Sequence, residues 1–276
     1  LNFGFECPDI LELPLDGDRE QMKWVIYDAA GKYLVGQFDG KTFTDENGGG
    51  YMMDVGPDFY AGQSFFPHNL PEKKYIQIAW MDEWNGGIGE EKGGWHRNAT
   101  FPVELGLVTR EGKMRVTRTP IAAIRELYTD QPYTLTDTKV SSDNVLKDVR
   151  SKAFDATLTL DLNGATAKKV VFSVTNVDYR YNIEDQTLEY VGVEKNKFGS
   201  KEPPVLRPNS ENKLVLRLLV DWSSIEIFSD DGVFSFSQQV AFDPKDDRVS
   251  LKAIGGEVKL ASLTLNPIKS IWRKSE

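Results

Sequence analysis

The chain has 276 residues, of which 40% are hydrophobic, and its 42 Asp plus Glu outnumber 33 Lys plus Arg to give a formal charge of −9. That length allows one large or two medium domains with real cores, and the negative balance repels a phosphate backbone or an anionic lipid surface, so nucleic acid is not an expected partner. A single cysteine, Cys7, rules out an internal disulfide framework, and the two histidines, His68 and His96, form no cluster with it, so neither a metal site nor a cofactor is expected.

No run of about 18 apolar residues occurs, so no membrane span is expected, and the first residues lack the basic start and long apolar stretch of a signal peptide. The chain opens without Met, directly in what reads as a strand, the pattern expected of a fragment or processed product. Phe3 and Phe5 alternate ahead of Glu6-Cys7-Pro8-Asp9, and Pro8, which cannot donate a ladder hydrogen bond, marks a strand end or edge. Lys23-Trp24-Val25-Ile26-Tyr27 reads as a strand, residues 28–32 as a turn and residues 33–38 as the returning strand. Asp39-Gly40 is a further turn before Lys41-Thr42-Phe43-Thr44, and residues 75–81 form a strand with a buried look. Residues 85–89 are Gly-rich and flanked by Trp84, Trp95 and His96; without a following Lys-Ser/Thr they read as a rim loop rather than a phosphate cradle. Only residues 121–127, after Pro120, suggest a helix of a turn or two.

The second half alternates more cleanly. Ala156, Leu158, Leu160 and Leu162 fall on one face with Thr157, Thr159 and Asp161 on the other, the signature of a half-buried antiparallel strand. Comparable runs cover residues 169–174, 213–220, 224–228, 233–238, 248–253 and 258–265, and Asp230-Asp231-Gly232 is a hairpin turn between two of them. The expectation is all-β: residues 1–130 as blades of a β-propeller and residues 131–276 as a two-sheet β-sandwich, with the boundary near residues 129–133.

Glu6 is the first residue whose context suggests a reaction. Aromatic neighbours would desolvate its carboxyl, favouring the neutral form that a general acid needs near neutral pH. By themselves, Glu6 and Asp9 read equally well as turn carboxylates. Glycoside cleavage also requires a second carboxyl, about 5–5.5 Å away for retention. An extended strand would place Asp9 about 10 Å from Glu6 on the opposite face, so the in-chain alternatives are Asp54, Asp58, Asp82 and Glu83, each also readable as a loop carboxylate.

The segment Phe5-Glu6-Cys7-Pro8-Asp9-Ile10 resembles the Glu-Cys-Pro-Asp motif of glycoside hydrolase family 32, whose members cleave fructosyl bonds in sucrose, inulin and levan. Later segments follow in the family's order. These are Phe38-Asp39-Gly40, Asp58-Phe59-Tyr60-Ala61, Ile78-Ala79-Trp80-Met81, and Phe101-Pro102-Val103-Glu104-Leu105, with Val103 where Arg is usual. The last is Asp221-Trp222-Ser223-Ser224-Ile225-Glu226-Ile227-Phe228 followed by Asp231-Gly232. The resemblance implies the later blades of a five-bladed propeller joined to a sandwich, and a levanase-, inulinase- or invertase-type β-fructosidase acting on fructan or sucrose with retention.

It assigns Glu6 as general acid and then base. Trp80 becomes part of the fructose pocket, against the alternative of a core tryptophan; Tyr60 and Gln63 lie toward the leaving group, against loop packing. Asp9 belongs to the substrate site as the residue that orients the Glu6 loop, and Cys7 is expected to be a small buried hydrophobe. The family's nucleophile motif, Asn-Asp-Pro-Asn-Gly, and its Arg-Asp-Pro motif do not occur in this sequence. Roughly two blades are therefore expected to lie outside it, leaving this chain alone inactive and prone to pair through open edges with the missing segment or with a second copy. The competing expectation is a non-catalytic carbohydrate-binding or structural module. Polymeric fructans point to an extracellular or periplasmic setting.

Overall fold

A computed structural model describes Gly4 and residues 6–65, 74–81, 98–129, 131–191 and 200–271. The described chain is almost wholly β, as its short runs and turn signals suggest. Its first half carries β1 (Asp9–Leu15), β2 (Asp18–Tyr27), β3 (Lys32–Phe38), β4 (Phe43–Asp45), β5 (Tyr51–Met52), β6 (Phe59–Phe65), β7 (Ile76–Met81), β8 (Asn98–Ala99), β9 (Val103–Arg110) and β10 (Lys113–Pro120). A 3-10 helix, Ala122–Leu127, stands where a short helix is expected. The remainder carries β11 (Tyr133–Val140), β12 (Phe154–Asp161), β13 (Lys169–Val174), β14 (Val177–Asn182), β15 (Thr187–Glu189), β16 (Lys213–Asp221), β17 (Ser224–Ser229), β18 (Phe234–Gln239), β19 (Val249–Ile254) and β20 (Val258–Pro267).

The described residues form two compact units. One comprises those through Ile121 together with Asp231–Gln238; the other comprises the rest. In the first, the strands follow the order β4-β3-β2-β1-β9-β7-β6. The predicted turn at residues 28–32 forms because Asp28 Oδ1 accepts the amides of Ala30 and Lys32, both at 3.1 Å, while Gly31 takes φ +81°. Asp39 likewise gathers the amides of Lys41 and Thr42. Gly36 is required where β4 pairs with β3, since an added Cβ would stand 1.9 Å from the carbonyl oxygen of Thr44. Leu11 and Leu13 of β1, Val25 and Tyr27 of β2, Val35 of β3 and Val103 of β9 are buried and supply the core on which the site is built.

In the second unit, one sheet contains β11-β20-β12-β16-β17 and another runs β15-β14-β13-β19. The predicted inward face of β12 is realised: Ala156, Leu158, Leu160 and Leu162 are buried, whereas Thr157 is exposed. Leu158, Leu216 and Ile227 from the first of these sheets line one small cavity with Phe172, Tyr179 and Leu251 from the other. Phe154 and Phe172 meet edge to face with centroids 6.3 Å apart. Burial of paired apolar faces at about 25 cal/mol per Å² is the main stabilising contribution here.

Candidate active site

Glu6 lies in a bend just before β1, not within a strand, because Cys7 adopts φ +43° and turns the chain. The separation expected of an extended Glu6–Asp9 segment therefore does not apply. Glu6 is also solvent-exposed; Phe3 and Phe5, which were expected to desolvate it, lie outside the described residues. Its carbonyl accepts the amide of Ala29 at 2.8 Å, and its carboxylate Oε2 accepts a short hydrogen bond from the Tyr60 hydroxyl. Cys7 is exposed and free, contrary to the expected buried hydrophobe, because the positive-φ turn directs it away from the core.

Asp9 opens β1, and its carboxylate is the most heavily bonded group in the site. Its Oδ2 accepts the Tyr27 hydroxyl at 2.7 Å, the Ser64 hydroxyl at 2.7 Å and the Ser64 amide at 3.0 Å. Burial, and then the charge of Asp9, push the Tyr27 phenol well above its usual range. With three donors on one oxygen, Asp9 is an anchor: it ties the start of β1 to β2 and β6 immediately beside Glu6.

Strand β6 therefore holds both carboxylates, Glu6 through Tyr60 and Asp9 through Ser64. It manages this with a bulge between Tyr60 and Gln63, where Ala61 takes φ +48° and donates its amide to the Ala29 carbonyl at 2.7 Å. Gln63 Nε2 donates to the carbonyl oxygens of Gly62 at 3.0 Å and Cys7 at 3.3 Å, placing its amide against the Glu6 turn. Trp80 on β7 pairs directly with Tyr60, so the two side chains share a face; Tyr60 is 7% exposed and Trp80 50%. Trp80 is thus only half enclosed and stands next to Tyr60 across the strand pair.

Of the other carboxylates considered, Asp54 is buried in an ion pair with Arg118, which removes it as a partner for Glu6. Asp58 is also buried, its amide donating to the Ser237 carbonyl at 3.3 Å. Asp82, Glu83, Trp84, Trp95, His96 and the Gly-rich stretch lie outside the described residues. Among the described residues no group of three or more His, Cys, Asp or Glu is arranged to hold a metal ion. Sequence patterns gave no reason to single out Ala29, Tyr27 or Ser64. Their roles arise from tertiary contacts at separations of 18 to 55 residues from their partners in the Glu6 segment.

Comparison with known proteins bears on the same residues. The profile of the glycosyl hydrolases family 32 N-terminal domain matches residues 2–119, and that of the family 32 C terminal matches residues 123–267. A levanase of Bacillus subtilis (strain 168) is 28% identical over 97% of this chain, which covers 43% of that protein. An extracellular exo-inulinase of Aspergillus niger is 28% identical over 97% of the chain, covering 55% of that protein. The chain thus spans about half the length of the curated relatives it matches. Among solved structures, exo-inulinase from Aspergillus awamori matches with TM-score 0.83 and 24% identity over 97% of this chain and 57% of its own. β-Fructofuranosidase from Schwanniomyces occidentalis, complexed with fructosyl-erythritol, matches with TM-score 0.73 and 18% identity over 96% of this chain and 60% of its own. At such identities these structures speak for the fold, and the two profiles account for nearly all the sequence: the chain belongs to glycosyl hydrolases family 32.

Proposed function

We propose that this chain is the acid/base-bearing portion of a β-fructosidase that hydrolyses β-fructosyl linkages in fructans or sucrose with retention. The observation that carries this is the Glu6 carboxylate, solvent-exposed and hydrogen-bonded by the phenol of Tyr60, whose cross-strand neighbour is the half-exposed Trp80. In the first step Glu6, protonated, gives its proton to the glycosidic oxygen as the fructosyl bond breaks; in the second, as carboxylate, it takes a proton from the attacking water. Trp80 stacks on the sugar, Gln63 reaches toward the leaving group, and Asp9 holds the Glu6 turn in place. Such acid–base help contributes about 10²–10⁴-fold.

Retention needs a second carboxylate about 5–5.5 Å away. Asp9 is committed to three donors and Asp54 to Arg118, so in this reading the nucleophile is an aspartate outside this sequence, in the family's Asn-Asp-Pro-Asn-Gly motif. The likeness to the two fructan- and sucrose-type enzyme structures supports the first unit as the later blades of a five-bladed propeller and the second as a β-sandwich, with residues 1–130 and 131–276 as the domains, apart from Asp231–Gln238, which group with the first unit, and Ala122–Thr129, which group with the second. The interior shared by the two sheets of the second unit supports the sandwich. Completion of the propeller requires either the remaining segment or a second copy as partner. Polymeric substrates, and a relative named extracellular, favour an extracellular or periplasmic location.

The test is Glu6→Gln in the protein with the nucleophile segment present. Turnover of sucrose, inulin and levan falls by at least about 10²-fold while fructose binding persists. Unchanged turnover would remove Glu6 from the mechanism.

A further inference from the structure

Arg118 on β10 is fully buried, an expensive place for a guanidinium unless its donors are matched. Nη1 donates to Asp54 Oδ2 and to the Ser235 hydroxyl, both at 2.5 Å, and Nε donates to Gln77 Oε1 at 3.1 Å, while Nη2 has no hydrogen-bond partner among the described residues, so the match is incomplete. Asp54 is equally enclosed. Its Oδ1 accepts the amides of Gly56 at 2.8 Å and Ser237 at 3.0 Å, and its Oδ2 also accepts the hydroxyls of Ser235 at 3.0 Å and Ser237 at 2.8 Å. The backbone joins in, with Val55 donating to the Ser235 carbonyl at 2.8 Å. Residues 54–58 are thereby fixed against residues 235–237, all within the first unit.

A buried ion pair is weak evidence for stability, because apolar residues of similar volume often do as well. What this one supplies is direction. The fixed turn runs straight into Phe59, whose ring has the Arg118 Cζ 4.6 Å from its centroid. The same ring abuts Gly31 and Gly62, where added Cβ atoms would come within 2.8 and 2.9 Å of it. Gly62 sits in the bulge that separates Tyr60 from Gln63, and Tyr60 carries the hydroxyl that reaches Glu6. Arg118 packs on Phe59, Phe59 is covalently joined to Tyr60, and its ring also packs on Gly62, which closes the bulge two residues after Tyr60.

We infer that Arg118 is a positioning residue for the acid/base: its pairing with Asp54 seats Phe59, the seated ring fixes the bulge, and the bulge aims the Tyr60 donor at Glu6. The structural part stands alone; its catalytic consequence rests on the proposed role of Glu6. Two amides report the bulge directly, since Ala61 donates to Ala29 and Ala29 donates to Glu6. Arg118→Lys keeps a positive charge facing Asp54 but loses the Nε bond to Gln77 and the planar contact with Phe59.

Amide hydrogen exchange in Arg118→Lys is expected to speed up about threefold to thirtyfold at Ala61 and Ala29. Paired amides in β2 and β3 change by less than about twofold. Ser237→Ala, which removes a single hydroxyl from Asp54, gives the same pattern at smaller amplitude and decides the matter if Arg118→Lys fails to fold. Uniform acceleration across the unit, or none at Ala61, overturns the inference. In the protein with the nucleophile segment, Arg118→Lys lowers kcat more than it changes KM, and this loss shrinks to less than about twofold in a Tyr60→Phe background. Equal losses in both backgrounds would overturn the link through Tyr60. Full activity in Glu6→Gln would instead refute the proposed function and leave the exchange result standing.

Discussion

Replacing Asp9 by Ala removes the acceptor for three donors at once: the Tyr27 hydroxyl, the Ser64 hydroxyl and the Ser64 amide. Hydrogen bonds to a charged group contribute about 1.5–3 kcal/mol each, but the two Ser64 donors are only part-buried and can turn to water. Tyr27 cannot, since it is fully buried; without Asp9 its hydroxyl keeps only the neutral neighbours Gln77 and Ser64, which adds about 1–3 kcal/mol. The expected loss is about 3–5 kcal/mol, at the upper end for a single substitution. Asp9→Asn keeps an acceptor oxygen for Tyr27 and is expected to lose about 1–2 kcal/mol. Urea unfolding followed by tryptophan fluorescence measures both, as shifts in midpoint at constant slope. A loss below about 0.5 kcal/mol for Asp9→Ala, the range of ordinary surface changes, would refute the view of Asp9 as the anchor of the Glu6 turn.

Tyr27 also makes the first unit alkali-sensitive. Its phenol is raised in the folded state by burial and by Asp9, so the folded form holds the proton more tightly than the unfolded form. The stabilisation is complete below the ordinary tyrosine value of about 10 and is lost as pH rises beyond it, and unfolding midpoints of Tyr27→Phe should fall less steeply above that pH. Gly56→Ala would push a Cβ to 2.2 Å from the Ser237 carbonyl oxygen; about 3 kcal/mol of destabilisation is expected in thermal or urea unfolding. In the second unit, Arg217 forks onto Asp155 through Nε at 3.0 Å and Nη2 at 2.7 Å, beside the Tyr128 hydroxyl on the same carboxylate. Arg217→Lys loses the bidentate fit and is expected to cost about 1–2 kcal/mol. Absorbance titration near 295 nm should find the Tyr128 phenol, pushed up to about 12 chiefly by burial, among the last tyrosines to ionise.

Local chemistry made the strands and turns readable. Val25, Tyr33 and Val35 declare β2 and β3, and Asp28 with Gly31 declares the turn between them, because one side chain and one permissive φ decide each feature. Strand β14 alternates buried Val177, Tyr179 and Tyr181 with outward Asp178 and Arg180 as clearly as β12 alternates its own residues, so its signal was present although it was not among the runs read from the sequence. The Glu6 site was legible only as a motif. Its working geometry depends on a positive φ at Cys7 and a bulge at Ala61, neither of which a side-chain pattern announces, and on contacts spanning about fifty residues between Glu6 and Tyr60 or Asp9 and Ser64. The burial of Arg118 is invisible in sequence for the same reason: β10 reads as an ordinary polar-apolar strand, and only the approach of Asp54, Ser235 and Gln77 makes an arginine tenable there.

The central claim is that Glu6 transfers the proton to the departing sugar oxygen. Its most direct measurement compares Glu6→Gln on sucrose and on fructosyl fluoride, whose leaving group needs no proton, in the protein with the nucleophile segment present. Fructosyl-enzyme formation from the fluoride is expected to survive within about tenfold while sucrose cleavage falls at least about 10²-fold. Equal losses on both substrates, or none on either, would contradict it.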